Sequence, residues 1–168
     1  MSEDAFEHVF SVPLHDTDAA GTMFFAHLFR HAHDAYEAFM HAIGFPLDRM
    51  IREGTQHLPL VHAEADYRRP LRHGDTARVR LRPAKVGRSA FVLEYRFTDD
   101  RGEPYASART IHVNIGPQRS AAPLPEGMRS ALSARLTDRL GVEARPQTEG
   151  NLFQEPSTVD KQSEQQAP

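Results

Sequence analysis

Hydrophobic residues recur along the chain at two different spacings, and the change between them divides it. Between residues 25 and 43, Phe25, Leu28, Phe29, Ala32, Tyr36, Phe39, Met40 and Ile43 return every three or four positions, with His27, His31, Asp34, Glu37 and His41 between them as the wetter side. That period predicts one long amphipathic helix of about five turns. Gly44, with Pro46 two residues on, is its stop signal. Beyond Gly54 the period drops to two, and strands are predicted over 58–69, 75–86, 89–98 and 105–115. Ala77, Val79 and Leu81 alternate with Arg78, Arg80 and Arg82, and Phe91, Leu93, Tyr95 and Phe97 with Glu94 and Arg96. Asp99-Asp100-Arg101-Gly102 is a hairpin signal between the last two strands. A short strand over 8–14 precedes the long helix, and Met128, Leu132, Leu136 and Leu140 mark a second helix over 124–140.

This order predicts an α+β fold, an antiparallel five-stranded sheet wrapped around one long central helix, with a C-terminal helix added. The outer face of the sheet, which carries Arg78, Arg80 and Arg82, is expected to meet solvent or another subunit. A chain of 168 residues with 39% hydrophobic positions supports one core. That domain is read as residues 1–142. Residues 143–168 are rich in Gln, Glu, Ser, Thr and Pro and are expected to form a disordered acidic and polar tail.

Composition narrows the classes. The net charge of −3 argues against a nucleic-acid partner. No apolar run reaches the ~20 residues of a membrane span, and Met1-Ser2-Glu3-Asp4 lacks the build of a secretory signal, so no membrane partner and a cytoplasmic location are expected. The absence of cysteine removes disulfides and thiol chemistry but leaves carboxylate and histidine chemistry open. Charge is nonetheless uneven, since residues 68–88 hold eight basic side chains against Asp75 alone, a local excess of +7 suited to an anion.

The most informative stretch is 15–25, in which Asp16, Asp18, small Ala19 and Ala20, and Gly21 precede the predicted helix start. Amides in the first turn of a helix have no intrahelical partner and favour negative charge, so they can hold a carbonyl oxygen as it becomes an oxyanion. Gly21 admits close approach to the backbone, and Asp18 is placed either to attack a carbonyl or to activate water. Asp before a helix is also an ordinary N-cap, which is the reading given to Asp16.

Asp16-Thr17-Asp18-Ala19-Ala20-Gly21-Thr22-Met23-Phe24-Phe25 resembles the Asp-x-Asp-x-x-Gly turn of the 4-hydroxybenzoyl-CoA thioesterase branch of the hotdog-fold superfamily. Tyr67, Pro70 and Gly74-Asp75 match a second part of the family pattern, and the resemblance covers about residues 6–116. Within the branch, His33-Asp34-Ala35-Tyr36-Glu37-Ala38 and residues 58–64 (LPLVHAE) are similar to the 1,4-dihydroxy-2-naphthoyl-CoA hydrolases of quinone biosynthesis. The resemblance implies a hotdog fold and hydrolysis of an aromatic acyl-CoA to free acid and CoA. Asp18 is then the catalytic carboxylate, the Phe25 backbone N–H the polariser of the thioester carbonyl, and Gly21 part of that turn. Many relatives have Tyr-x-Asn where this chain has Phe25-Ala26-His27, a departure that bears on acyl preference.

The CoA phosphates would be met by Arg68, Arg69, Arg72 and Arg88, near strand ends or turns, whereas Arg78, Arg80 and Arg82 read as a solvated face. Tyr67 is carried with them as substrate-binding. His62 and Glu64 share one side of a strand, either lining the acyl pocket or forming an interface pair. His27, His31 and Asp34 have helical ligand spacing but read as surface, so no metal is expected; nor is a cofactor, CoA being part of the substrate. An open sheet edge and the family likeness imply a homodimer or homotetramer with the site between subunits. A broader acyl-CoA or acyl-carrier-protein thioesterase and a non-catalytic acyl-binding protein remain the alternatives.

Overall fold

The computed structural model describes residues 5–54 and 56–136. Strand β1 (Phe6–Ser11) leads through a 3-10 turn (Leu14–Asp16) and a loop to helix α1 (His27–Ala42). Helix α2 (Leu47–Glu53) follows, then β2 (Leu60–Tyr67), β3 (Thr76–Val86), β4 (Ala90–Thr98), β5 (Pro104–Val113) and α3 (Glu126–Ser133). The five strands form one sheet in the order β1-β3-β4-β5-β2, and each neighbouring pair is antiparallel. β1 and β2 are therefore its edges.

The alternation along β3 and β4 sets the core. Ala77, Val79, Leu81, Phe91, Leu93, Tyr95 and Phe97 are buried on one face, and α1 lays Leu28, Ala32, Ala35, Tyr36, Phe39 and Met40 against them. Removing this apolar surface from water is the main source of stability. The predicted stop of α1 is realised: Gly44 adopts φ +89°, its N–H bonds the His41 carbonyl, and the Phe45 N–H bonds the Met40 carbonyl.

Several expectations need correction. α1 starts at His27 rather than at Phe25, which lies outside the helix and is 63% exposed. His31, assigned to the wet side, is buried, its ring stacked 3.7 Å from that of Phe10. The first strand ends at Ser11, since Pro13 has no N–H for a ladder and the chain turns at Leu14. α2 was not foreseen; its seven residues are too few to display a period, and the exposed pairs Arg49–Glu53 and Arg52–Asp48 run along it. The C-terminal helix ends at Ser133, short of the predicted extent, and positions 137–140 and the tail at 143–168 lie outside the described residues.

Arg82 is also a correction. Arg78 and Arg80 lie partly exposed and pair with Glu7, as a solvated face requires, but Arg82 is 3% exposed and bonds Glu94 at 2.7 Å. The register opposes Arg82 to Glu94 directly, so burial of the charge comes with its partner.

Candidate active site

Residues 16–24 fold as a small hairpin ahead of α1. Thr17 bridges Met23, the Asp18 N–H bonds the Thr22 carbonyl, and the Gly21 N–H returns to the Asp18 carbonyl. Gly21 takes φ +73°, and no atom lies within 4 Å of where a Cβ would stand. The turn thus needs glycine for backbone conformation rather than for space. Thr22 bridges Arg72 and the Met23 N–H bonds the Leu71 carbonyl, which fastens the hairpin to the segment between β2 and β3.

Asp18 is exposed on this turn, and one carboxylate oxygen accepts the Ala20 N–H at 2.8 Å. Neither Asp16 nor Asp18 caps α1: the N-cap position is Ala26, with no side-chain capping bond. The His27, Leu28 and Phe29 amides bond the carbonyls of Phe24, Phe25 and Ala26, and the Phe24 amide bonds that of Asp16. The amides of Phe25 and Ala26 have no acceptor among the described residues. Two unpartnered donors can stabilise an oxyanion, and the exposed Asp18 carboxylate on the preceding turn is of the kind that serves as nucleophile or base.

A cleft of about 310 Å³ adjoins this point, lined by Thr22, Met23, Phe25, residues 67–71, Tyr105 and Ala106. The Tyr67 hydroxyl donates to the Phe25 carbonyl at 2.7 Å. Of the expected cationic partners, Arg68 and Arg69 line the cleft, and Arg72 adjoins it through the bridge to Thr22. Arg69 is engaged by Asp99 at 2.8 Å and lies 4.2 Å over the Tyr105 ring, whereas Arg68 is exposed with no ion pair among the described residues.

Other expected residues are not gathered there. Arg88 sits between β3 and β4, at the sheet end where Ala90 meets Val113, while Tyr67 meets Ala106 at the opposite end. His62 and Glu64 lie 3.5 Å apart on the face of β2 opposite to Tyr67, and Arg109 approaches Glu64 at 3.7 Å. A larger cavity of about 650 Å³ lies near the Leu60 end of β2, between α1, α2 and the segments around Leu58 and Ile115. Its polar rim includes His33, Gln56, His57 and Arg119.

Sequence reasoning missed the role of Asp16. Its side chain is fully buried and receives His27 Nδ1 at 2.8 Å, His31 Nε2 at 2.7 Å, and Arg30 Nη2 at 2.6 and 2.8 Å on its two oxygens. Burial pushes the Asp16 pKa up, but the bonds from His31 and His27 and the charge of Arg30 outweigh it and leave the carboxyl below its ordinary range. Burial holds the His31 imidazole below its ordinary value despite the bond it donates to Asp16. The two histidines considered for a metal thus spend a ring nitrogen each on Asp16. The spacing of His27, Arg30 and His31 on one helix face was the available signal; their partner, eleven to fifteen residues away, was not visible as such.

A long helix packed in one antiparallel sheet, with this turn ahead of it, places the chain in a known class: it belongs to the thioesterase-like superfamily, whose family model matches residues 12–132. It is 39% identical over 146 residues to a 1,4-dihydroxy-2-naphthoyl-CoA hydrolase of Synechococcus elongatus, across 86% of this chain and 99% of that one. A 1,4-dihydroxy-2-naphthoyl-CoA thioesterase from Synechocystis superposes with a TM-score of 0.72 at 33% identity, covering 77% of this chain and 96% of the other. A gentisyl-coenzyme A thioesterase superposes with a TM-score of 0.69 at 28% identity, over 76% of this chain and 98% of the other. The hotdog fold expected from the resemblance is the fold observed.

Proposed function

We propose that the chain hydrolyses aromatic acyl-CoA thioesters, with 1,4-dihydroxy-2-naphthoyl-CoA of quinone biosynthesis as its foremost substrate. The observation that carries this reading is the pair of unpartnered amides at Phe25 and Ala26, adjoining the hairpin that presents Asp18. The thioester oxygen is received by the Phe25 N–H as it gains charge, and Gly21 shapes the turn that presents Asp18. Asp18 then either attacks the carbonyl carbon, giving an anhydride that water opens, or takes a proton from the attacking water. The departing thiolate needs little acid help, because a thiol pKa lies near ~8.5. No resident metal or cofactor is required in this scheme. The names of the relatives from Synechococcus elongatus and Synechocystis support the naphthoyl group.

The same reading includes a homodimer or homotetramer. β2 is an edge strand with exposed Leu60, Val61 and Tyr67, the kind of edge that pairs with a second copy. Antiparallel pairing of two β2 edges about a twofold axis would set the Tyr67 end of one against the Leu60 end of its partner. The small cleft of one copy would then adjoin the larger cavity of the other, giving an acyl pocket with room for two fused rings. Among the described residues no helix is long and apolar enough to cross a membrane.

The test is Asp18→Asn, which keeps size and removes charge. We expect turnover of aryl-CoA to fall at least about a hundredfold, roughly 3 kcal/mol in the barrier, with the fold intact. Wild-type turnover in that variant would overturn the mechanism. Comparing naphthoyl-, benzoyl- and straight-chain CoA esters with carrier-protein esters tests the substrate class; equal rates on fatty esters would sink the naphthoyl assignment.

A further inference from the structure

Asp16 is held more strongly than closing a hairpin requires, since the Thr17–Met23 bridge and the Asp18–Thr22 bond already close it. A buried carboxylate surrounded by an arginine and two histidines is an expensive way to fill space, because charge must be desolvated before it is paired. What this residue does, and an apolar one cannot, is hold the chain on both sides of one short stretch. Its backbone carbonyl accepts the Phe24 N–H at 2.8 Å. Its carboxylate takes His27, Arg30 and His31 on the first turns of α1. Between those attachments lie only Phe25 and Ala26, the residues whose amides have no acceptor among the described residues.

We propose that Asp16 is a positioning residue for thioester hydrolysis, a clamp whose main chain fixes Phe24 and whose carboxylate fixes the start of α1, so that the Phe25 and Ala26 amides stay aimed at the substrate oxygen. This rests on the proposed hydrolase function. The clamp does not touch substrate. Its effect falls on the charged transition state, for which donor direction matters most, rather than on ground-state binding.

Asp16→Ala and Asp16→Asn, assayed on the full chain with an aryl-CoA ester that the wild type hydrolyses, should lower kcat by about 30- to 100-fold with KM changed less than about threefold. Formate should restore part of the kcat of Asp16→Ala by supplying a carboxylate to Arg30, His27 and His31, and should do nothing for Asp18→Asn. His27→Gln, at a partly exposed side chain, serves if the Asp16 variants do not fold, with an expected fall in kcat of about three- to tenfold at unchanged KM. A folded Asp16→Ala with wild-type kcat, or without rescue by formate, overturns the clamp; so does unchanged kcat in His27→Gln. A wild type inactive on every thioester offered overturns the functional reading itself, a failure distinct from the loss of the clamp alone.

Discussion

The Tyr67 hydroxyl donates a 2.7 Å hydrogen bond to the carbonyl of Phe25, tying the end of β2 to the residue two before α1. The bond joins positions 42 residues apart and fixes the peptide whose N–H belongs to Ala26. Burial raises the pKa of the phenol above its ordinary value, so Tyr67 keeps its proton and remains a donor at neutral pH.

Tyr67→Phe keeps the ring against the cleft and removes only that donor. A neutral hydrogen bond of this kind contributes about 1 kcal/mol, so the melting temperature should fall by a few degrees at most. In steady-state kinetics kcat should fall about three- to tenfold while KM stays near wild type. An unchanged kcat would mean that the Phe25 peptide is held well enough without β2.

Arg68 and Arg69 are neighbours in sequence and in the cleft, but their charges are differently engaged. Arg69 is held by Asp99 and by the face of Tyr105, while Arg68 has no ion pair among the described residues. If CoA phosphates pass this mouth, Arg68→Ala should raise KM about three- to tenfold at low salt with kcat unchanged, and the effect should shrink as added salt screens the charge. Arg69→Ala should show in the melting temperature first, since it strands Asp99. KM measured at two ionic strengths separates the two roles, and a salt-independent KM for Arg68→Ala would remove phosphate binding from this position.

Periodicity carried the architecture because both of its signals are local. The three- and four-residue returns from Leu28 to Met40 and the alternation through β3 and β4 follow from which faces are buried. It failed where the deciding contact was long-range. His31 looks wet on a helical wheel, since its neighbours Phe10 and Asp16 come from β1 and from the turn after it. Arg82 looks like its solvated companions until the register sets it opposite Glu94. At the site, the Asp18 turn was legible because its residues are contiguous, while Asp16 passed for a cap; its donors lie eleven to fifteen residues on, in the first turns of α1. The cavity near Leu58 was invisible for the same reason, being assembled from four segments. Of the expected arginines, sequence nearness to turns brought Arg68 and Arg69 to the cleft but could not show that Arg88 lies at the other end of the sheet.

His112 makes stability depend on pH in a direction that can be worked out. Its ring packs against those of Tyr36 at 4.4 Å and Phe91 at 5.2 Å. Nε2 lies 3.2 Å from the Thr110 hydroxyl and Nδ1 3.4 Å from the Leu58 carbonyl, which suits the neutral ring with its proton on Nδ1. Burial pushes its pKa down to about 4; the Leu58 carbonyl opposes that shift and the charge of His33 adds to it. The unfolded chain, with an ordinary imidazole near ~6.5, therefore binds a proton before the folded chain does. Stability is full above that unfolded value and is lost as pH falls from there toward the folded one. Between pH ~7.5 and ~4.5 the loss from this group should be about 2 to 3 kcal/mol. His31, also lowered by burial, adds to the loss in the same direction. His112→Gln removes one titrating group and should flatten the slope without abolishing it, while lowering stability at neutral pH through imperfect packing against Tyr36 and Phe91. Urea unfolding of both proteins across this pH range measures it; parallel slopes would mean that His112 is not the group being titrated.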